Sequence, residues 1–367
     1  MSEKILFYQI ALTLVPGIGD VLGKKLVTYC GSAEAVFREK KKLLAKVPRV
    51  GAKILEALSD KTILERAANE LAFLEKYRIR ALFFLDQDYP FRLKNCIDSP
   101  VMLYYKGTAS LNGSRIFGVV GTRNATEYGR GACHRIISDL SQDKVMIVSG
   151  LAYGIDSCAH RTALENNLET IGVLGHGLDM IYPAQNRVLA EKMMKNGGLL
   201  TEFMSNTQPD RENFPKRNRI IAGICDAILV VEAADKGGAL ITADIGNSYN
   251  RDVFAIPGRI TDPFSEGTNR LIRRNMAALV QSAGDIRYLM GWEEQGKKPD
   301  GFQKKIFLEM TADEKILVDY LNSKGSSGID DICIQCRLSM STTSAALLNL
   351  EFEGIVKSMP GKIYALA

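Results

Sequence analysis

Seven short apolar runs, each followed or preceded by a helix-patterned stretch, constrain this chain more than any other feature. They fall at 116–120, 145–148, 170–174, 199–201, 227–231, 252–255 and 278–280, and helical segments at 128–141, 155–166, 186–195, 217–224, 240–249 and 268–274 stand between or after them. Brief β-branched runs alternating with helices demand right-handed crossovers and a mostly parallel sheet covered on both faces. Residues 80–290 are therefore expected to form a doubly wound, Rossmann-like α/β domain.

A chain of 367 residues exceeds one ordinary core, and the flanks have characters of their own. Residues 1–75 read as helical and contain a weak repeat, "LVPGIGDVLGKKLV" (14–27) and "KVPRVGAKILEAL" (46–58). Each copy places a glycine between short helices, the turn chemistry of helix-hairpin-helix units that grip a phosphate. Lys24, Lys25 and Lys53 follow the two turns. DNA contact and a plain helical bundle both fit this pattern. Residues 291–310 are polar with Gly and Pro and read as a linker. From 311 to 367, helices at 312–323, 329–336 and 340–353 precede "GIVKSMPGKIYALA", two strands around a Pro-Gly turn. That order is a winged-helix layout. Its third helix, "MSTTSAALLNLEFE", has no Lys or Arg. Phosphate neutralisation needs cations, so an accessory or protein-contact role is expected over groove reading.

The beginning "MSEKILFYQIALTLVPGIG" carries Glu3 and reaches Pro16 too early for a signal peptide or a membrane span. Seven scattered cysteines are expected to be reduced cytoplasmic thiols. Cys333 and Cys336 form one CxxC without the second pair or histidine of a zinc site, so a half-buried helix is expected there and no metal.

Ligands of open parallel sheets collect at the C-terminal strand ends. Here those ends read Gly121-Thr122-Arg123, Ser149-Gly150, Gly175-His176-Gly177, Glu202 and Glu232 to Gly238. The spacing after Gly121 runs to Gly129 and Gly131, which is not GxGxxG, and the second strand lacks a ribose-binding acid at its end. A P-loop is absent as well. No cofactor and no catalytic residue are expected. Cations gather near these ends instead: Arg123, then Arg211, Lys216, Arg217 and Arg219 in "PDRENFPKRNR", Lys236 beside Gly237 and Gly238, and Arg270, Arg273 and Arg274. Charges spread over several strand ends suit an extended polyanion. Phe214 and Tyr128 are candidate stacking faces for an unpaired base. His160 lies four residues after Asp156, and the two are expected to pair on one helix face.

Five segments in order, "VVGTRNATEYG", "IVSGLAYGIDSCAH", "TIGVLGHGLDMIYP", "NFPKRNRIIAG" and "VVEAADKGGALITA" followed by "RDVFAIPG" and "GTNRLI", resemble the DNA-processing protein A (DprA/Smf) family over about residues 114–283. The resemblance implies an N-terminal SAM-like domain, a Rossmann-like domain with a groove for single-stranded DNA, and a C-terminal winged helix. It implies a cytoplasmic, non-enzymatic homodimer that protects incoming DNA in natural transformation. Loading of the RecA recombinase in the presence of single-strand binding protein follows from the same resemblance. Carried over residue by residue, it assigns DNA contact to Arg123, to Ser149 and Gly150, and to Arg217, Asn218 and Arg219. Gly237-Gly238-Ala239 stands where the family usually has Ser-Gly-Ser, so backbone N–H groups would replace two hydroxyls. "TEF" at 201–203 replaces Ser-Glu-Tyr.

Two other readings remain. A nucleotide phosphoribohydrolase of the lysine-decarboxylase-like type would use Glu232, but "KGGALIT" lacks that group's Pro-Gly-Gly-x-Gly-Thr loop. A winged-helix regulator with a sensor domain would need a cationic third helix.

Overall fold

The computed structural model describes residues 3–292 and 310–366. Most of the linker expected at 291–310 lies outside the described residues. Six helices open the chain: α1 (Glu3–Leu14), α2 (Asp20–Cys30), α3 (Ala33–Arg38), α4 (Lys41–Leu44), α5 (Ala52–Ala57) and α6 (Lys61–Lys76). The central domain then runs β1 (Arg80–Phe83), α7 (Phe91–Lys94), β2 (Met102–Gly107), β3 (Ile116–Val120), α8 (Glu127–Asp139), β4 (Met146–Ser149) and α9 (Ile155–Glu165). It continues through β5 (Thr170–Val173), α10 (Arg187–Met193), β6 (Gly197–Thr201), α11 (Asn213–Ile224), β7 (Ala227–Val230) and α12 (Gly238–Ser248). It closes with β8 (Asp252–Ala255), α13 (Glu266–Arg273), β9 (Ala278–Leu279) and α14 (Ala283–Met290).

All seven expected strands are present, in a sheet of order β1-β2-β6-β5-β4-β3-β7-β8-β9. The β3–β9 strands pair in parallel, and β1 and β2 add an antiparallel edge beyond β6. Those two edge strands were not foreseen. "MLYYKG" is buried along most of its length, so it carries no two-residue alternation to announce a strand. Along β3, Ile116 and Val120 pack on one face of the sheet while Phe117 and Val119 pack on the other. The same alternation separates Ile228 and Val230 from Ala227 and Leu229 in β7. Each strand is thus covered twice, which explains its continuous apolar run. The order in which strands are laid down reverses between β3 and β7, since β4, β5 and β6 lie to one side of β3 and β7, β8 and β9 to the other. That switch point opens a crevice where a ligand can enter.

The N-terminal helices are not a separate core. Ile10, Leu26 and Ile54 belong to the same buried cluster as Val101 and Leu103 of the sheet edge and Ile220 of α11. The repeat seen in the sequence is real in the backbone. Gly17 and Arg49, at equivalent places, both adopt left-handed φ, +87° and +75°. The helices after them start from matching extended glycines, Gly19 (φ −88°) and Gly51 (φ −97°).

The C-terminal segment comprises α15 (Ala312–Lys324), β10 (Ser326–Gly328), α16 (Ile329–Cys336), α17 (Met340–Phe352), β11 (Val356–Met359) and β12 (Ile363–Leu366). Its three helices and β10-β12-β11 sheet enclose a small core of Leu317, Leu321, Ile332, Leu347 and Leu350. This is the expected winged helix, with a short third strand added. Cys333 and Cys336 lie half-buried on α16, where Cys333 touches Met340. Among the described residues no helix is long and apolar enough to cross a membrane.

Candidate nucleic-acid interface

A cleft of about 340 Å³ sits at the switch point between β3 and β7. The loop after β3 supplies Gly121, Thr122 and Arg123, and the loop after β7 supplies Lys236, Gly237 and the first residue of α12, Gly238. Phe214, Arg217 and Asn218 enter from α11, a helix that starts four residues before its expected beginning. Asp156 of α9 and Thr242 of α12 complete the wall. Sequence reasoning did not place those two in the site.

Two cations face the opening. Arg123 is exposed, and its guanidinium lies 5.4 Å from the centre of the Phe214 ring. Lys236 is exposed at the opposite lip, just before α12. No side chain caps the N-terminus of α12, whose first N–H groups therefore remain free at the cleft. A Cβ on Gly237 would meet nothing within 4 Å, and one on Gly238 would reach only Asn218 Nδ2 at 3.9 Å. Here alone among the strand-end glycines of the cleft is there room for a ligand beside the backbone. Asn218 Nδ2 donates to Gly238 O at 3.2 Å and fixes the position of that first turn.

The remaining strand-end glycines make room for protein. A Cβ on Gly121 would run into Ile155, and one on Gly150 into the guanidinium of Arg217. Gly175 gives way to the Phe214 ring, which approaches to 3.1 Å of where its Cβ would be. Their missing side chains make way for Ile155, Arg217 and Phe214 and leave no room for a ligand. Ser149 is fully buried and donates to Val119 O at 2.6 Å, so neither Ser149 nor Gly150 reaches the cleft surface.

The arginine stretch of α11 also divides differently from expectation. Arg217 is 5% exposed and donates to Gly150 O (2.7 Å) and to Val173 O. Its burial draws its pKa down to about 10 even with Asp156 beside it. Asp156 is held above the usual carboxylate range by burial, opposed by Arg217. With its guanidinium bonded to two main-chain carbonyls, Arg217 stands at the cleft floor as a strut. Arg219, two residues on, leaves the cleft altogether. Its guanidinium reaches Asp20 (3.0 Å), Glu202 and Asp98 O, tying α11 to α2. Lys216 is exposed and faces Glu202, whose pKa burial raises against the opposing charges of Arg219 and Lys216. Arg270 is likewise paired, with Asp235, and Arg211, Arg273 and Arg274 do not line the cleft. An even rim of cations is not what forms. Residues two apart on a helix are turned about 200° from each other, so Arg217 and Arg219 point to opposite faces of α11.

Other expectations are revised by partners that lie far off in the chain. Tyr128 is half-exposed but its hydroxyl donates to Pro257 O at 2.7 Å, outside the cleft. His160 does not meet Asp156. It is buried with Nδ1 2.7 Å from Thr170 Oγ1 of β5, and desolvation pushes its pKa down to about 3. Asp156 faces back to Ala152 N and to Arg217 because it sits in the first turn of α9. Glu232 is 2% exposed and accepts from Thr126 N (2.9 Å) and the Thr126 hydroxyl. It shapes the loop after β3 and has no access to a substrate. In the first helical hairpin, Lys24 bonds Ser99 Oγ and Asp20 accepts from Val101 N (2.8 Å). That turn is an internal contact, so Lys24 does not offer its charge to DNA, while Lys25 and Lys53 are exposed.

Comparison with known proteins fits this geometry. Residues 80–291 match the family model described as DNA recombination-mediator protein A, and residues 309–362 match the DprA winged helix domain. The chain belongs to the DNA recombination-mediator protein A family. It is 35% identical over 400 residues to Protein Smf of Synechocystis sp., an alignment that covers 99% of each chain. DNA processing protein DprA of Streptococcus pneumoniae is 38% identical over 242 residues, covering 62% of this chain and 85% of that protein. The crystal structure of the Streptococcus pneumoniae protein superposes with a TM-score of 0.64 at 34% identity, over 77% of this chain and 97% of that one. A structure of DNA processing protein A from Helicobacter pylori, described for its single-stranded DNA binding mode, gives 0.54 at 26% identity, over 59% and 96%. Membership in the family accounts for the Rossmann-like sheet and the winged helix together.

Proposed function

We propose that this chain is a recombination mediator that binds single-stranded DNA in the switch-point cleft and hands it to the RecA recombinase. The observation that carries the reading is the convergence of Arg123, Lys236 and the uncapped first turn of α12 on open space beside Gly237 and Gly238. Two cations and free N–H groups stabilise a phosphate, and none of these groups supplies a nucleophile or general base. Phe214 offers an aromatic face at the same opening, where one unpaired base could stack in place of the Arg123 guanidinium. Such stacking is typically worth about 1–3 kcal/mol. The single-strand binding mode described for the Helicobacter pylori relative supports the same reading. Protection of incoming DNA, cooperation with single-strand binding protein and action as a homodimer in the cytoplasm belong to the proposal as family expectations. A nucleotide-cleaving enzyme is disfavoured by the engagement of Glu232 with Thr126.

Binding of oligothymidylate, a matching duplex and AMP across a salt series tests the proposal. Single-strand preference is expected, with little discrimination among base sequences. Arg123→Ala with Lys236→Ala should flatten the slope of log K against log salt by about 1.4, taking about 0.7 per lost phosphate contact. Unchanged binding in that double variant would place the strand elsewhere. Base release from AMP would sink the proposal in favour of the enzyme. For the hand-over step, the chain should shorten the lag of RecA ATP hydrolysis on DNA coated with single-strand binding protein.

A further inference from the structure

The two hairpin copies of the N-terminal domain share a backbone but not a use. In the first copy, Asp20 is bonded to Val101 N and Arg219, and Lys24 to Ser99, so its turn is pressed against the central domain. The second copy faces solvent. Between residues 40 and 53, Lys40, Lys41, Lys42, Lys46, Arg49 and Lys53 are all exposed, and Asp and Glu are absent from that stretch. The ion pairs of this domain join Lys4 and Arg38 to Glu34 and Arg66 to Glu70. Among the described residues these six cations have no carboxylate partner. Gly51 has no neighbour within 4 Å of where a Cβ would stand, so the backbone of the turn is open as well. Most telling is Arg49. It holds φ at +75° in the position that the first copy gives to a glycine, an arrangement that ordinary side chains avoid.

We infer that this exposed basic turn, residues 40–53, is a second binding site for a polynucleotide phosphate backbone. The apolar residues of the same segment, Leu44, Val47, Val50 and Ile54, are buried in the core. A membrane-surface site would need them outward. An extended polyanion, by contrast, matches a row of unpaired cations beside an open turn. The inference rests on the proposed single-strand reading only for the identity of the strand. A duplex flanking that strand would present the same phosphate chemistry.

The test uses the full chain with a short oligothymidylate that fills about one site of the 4–16 nucleotide class, a strand several times longer, and that short strand with a duplex tail. The variant Lys41→Glu, Lys42→Glu, Lys46→Glu should leave short-strand affinity unchanged, which also shows that it folds. It should lower affinity for the longer strand or the tailed duplex about tenfold and reduce the salt slope by about 2. A loss on the longer strand identifies single-stranded DNA as the occupant, and a loss on the tailed probe alone identifies the duplex. Arg49→Gly copies the first hairpin. It should keep or raise the melting temperature while weakening the long probe severalfold, a combination that a purely structural role would not give. Unchanged affinity and slope on both long probes would overturn the inference. So would loss of binding to phosphatidylserine vesicles with no loss on DNA. If the cleft variant Arg123→Ala, Lys236→Ala bound the short strand normally while the triple variant lost it, the cleft reading would fall and the basic turn would stand.

Discussion

Arg123 and Arg217 lie in the same cleft, within motifs that read alike in the sequence, yet they sit in opposite physical situations. Arg123 stands at the lip, exposed and, among the described residues, held by the Phe214 ring. Arg217 forms the floor, buried against two main-chain carbonyls and a carboxylate. Charge at the lip is free to meet an incoming anion. Charge at the floor is already neutralised, and its removal leaves acceptors that no water reaches. Under the proposed function the lip arginine serves binding and the floor arginine stability, and each can be probed by the measurement that should leave the other unmoved.

The largest effect is expected at the floor. Arg217→Ala strips donors from Gly150 O and Val173 O and leaves both acceptors buried and unsatisfied, a loss of about 3–5 kcal/mol. Denaturant unfolding would measure it, and a loss below about 1 kcal/mol would place Arg217 with the surface charges. Next comes Arg219→Ala, which unties α11 from Asp20 and Glu202. Its cost should be about 2–3 kcal/mol, below the full buried-pair figure because Glu202 can take up a proton once its partner is gone. Limited proteolysis should then cut between the N-terminal helices and β1 more readily.

A pH comparison sharpens the same contrast. Burial raises the Glu202 pKa to about 7 in spite of Arg219, and its Oε1 has no hydrogen-bond partner. A carboxyl whose folded-state pKa exceeds its unfolded value of 4.5 favours folding most when protonated. Its contribution is thus full below about 4.5 and lost as pH rises through about 7. Glu202→Gln should remove that dependence, so the variant gains stability relative to the parent between pH 5 and pH 8. Parallel pH profiles of the two proteins would contradict this assignment. The smallest stability effect belongs to the lip. Arg123→Ala should change unfolding by less than about 0.5 kcal/mol while weakening single-strand binding, and a large drop in melting temperature would erase the distinction between lip and floor.

Much of the fold was legible because its signals are local. The seven parallel strands each announce themselves as a short apolar run, and the winged helix follows from the order of its helices and its Pro-Gly hairpin. The β2 strand was missed because burial along most of its length removes its alternation, and β1 because its four residues, exposed at Arg80 and buried at Leu82 and Phe83, are too few to show a period. In the site, Arg123, Phe214, Lys236, Gly237 and Gly238 stand where strand-end reasoning put them. Ser149, Gly150 and Arg219 were named by the same reasoning and point elsewhere, since position at a strand or helix end does not give side-chain direction. Asp156 went unrecognised as a cleft residue because its sequence neighbour His160 offered a more obvious partner than Arg217, 61 positions away.

By itself, then, the sequence determined the layers, the parallel strands and the family, since periodicity and ordered motifs are properties of the chain. Tertiary structure alone decided which glycines border open space and which face Ile155 or Arg217. It also decided which cations stay free. Both outcomes depend on what packs within a few ångströms, and groups distant in sequence set that environment.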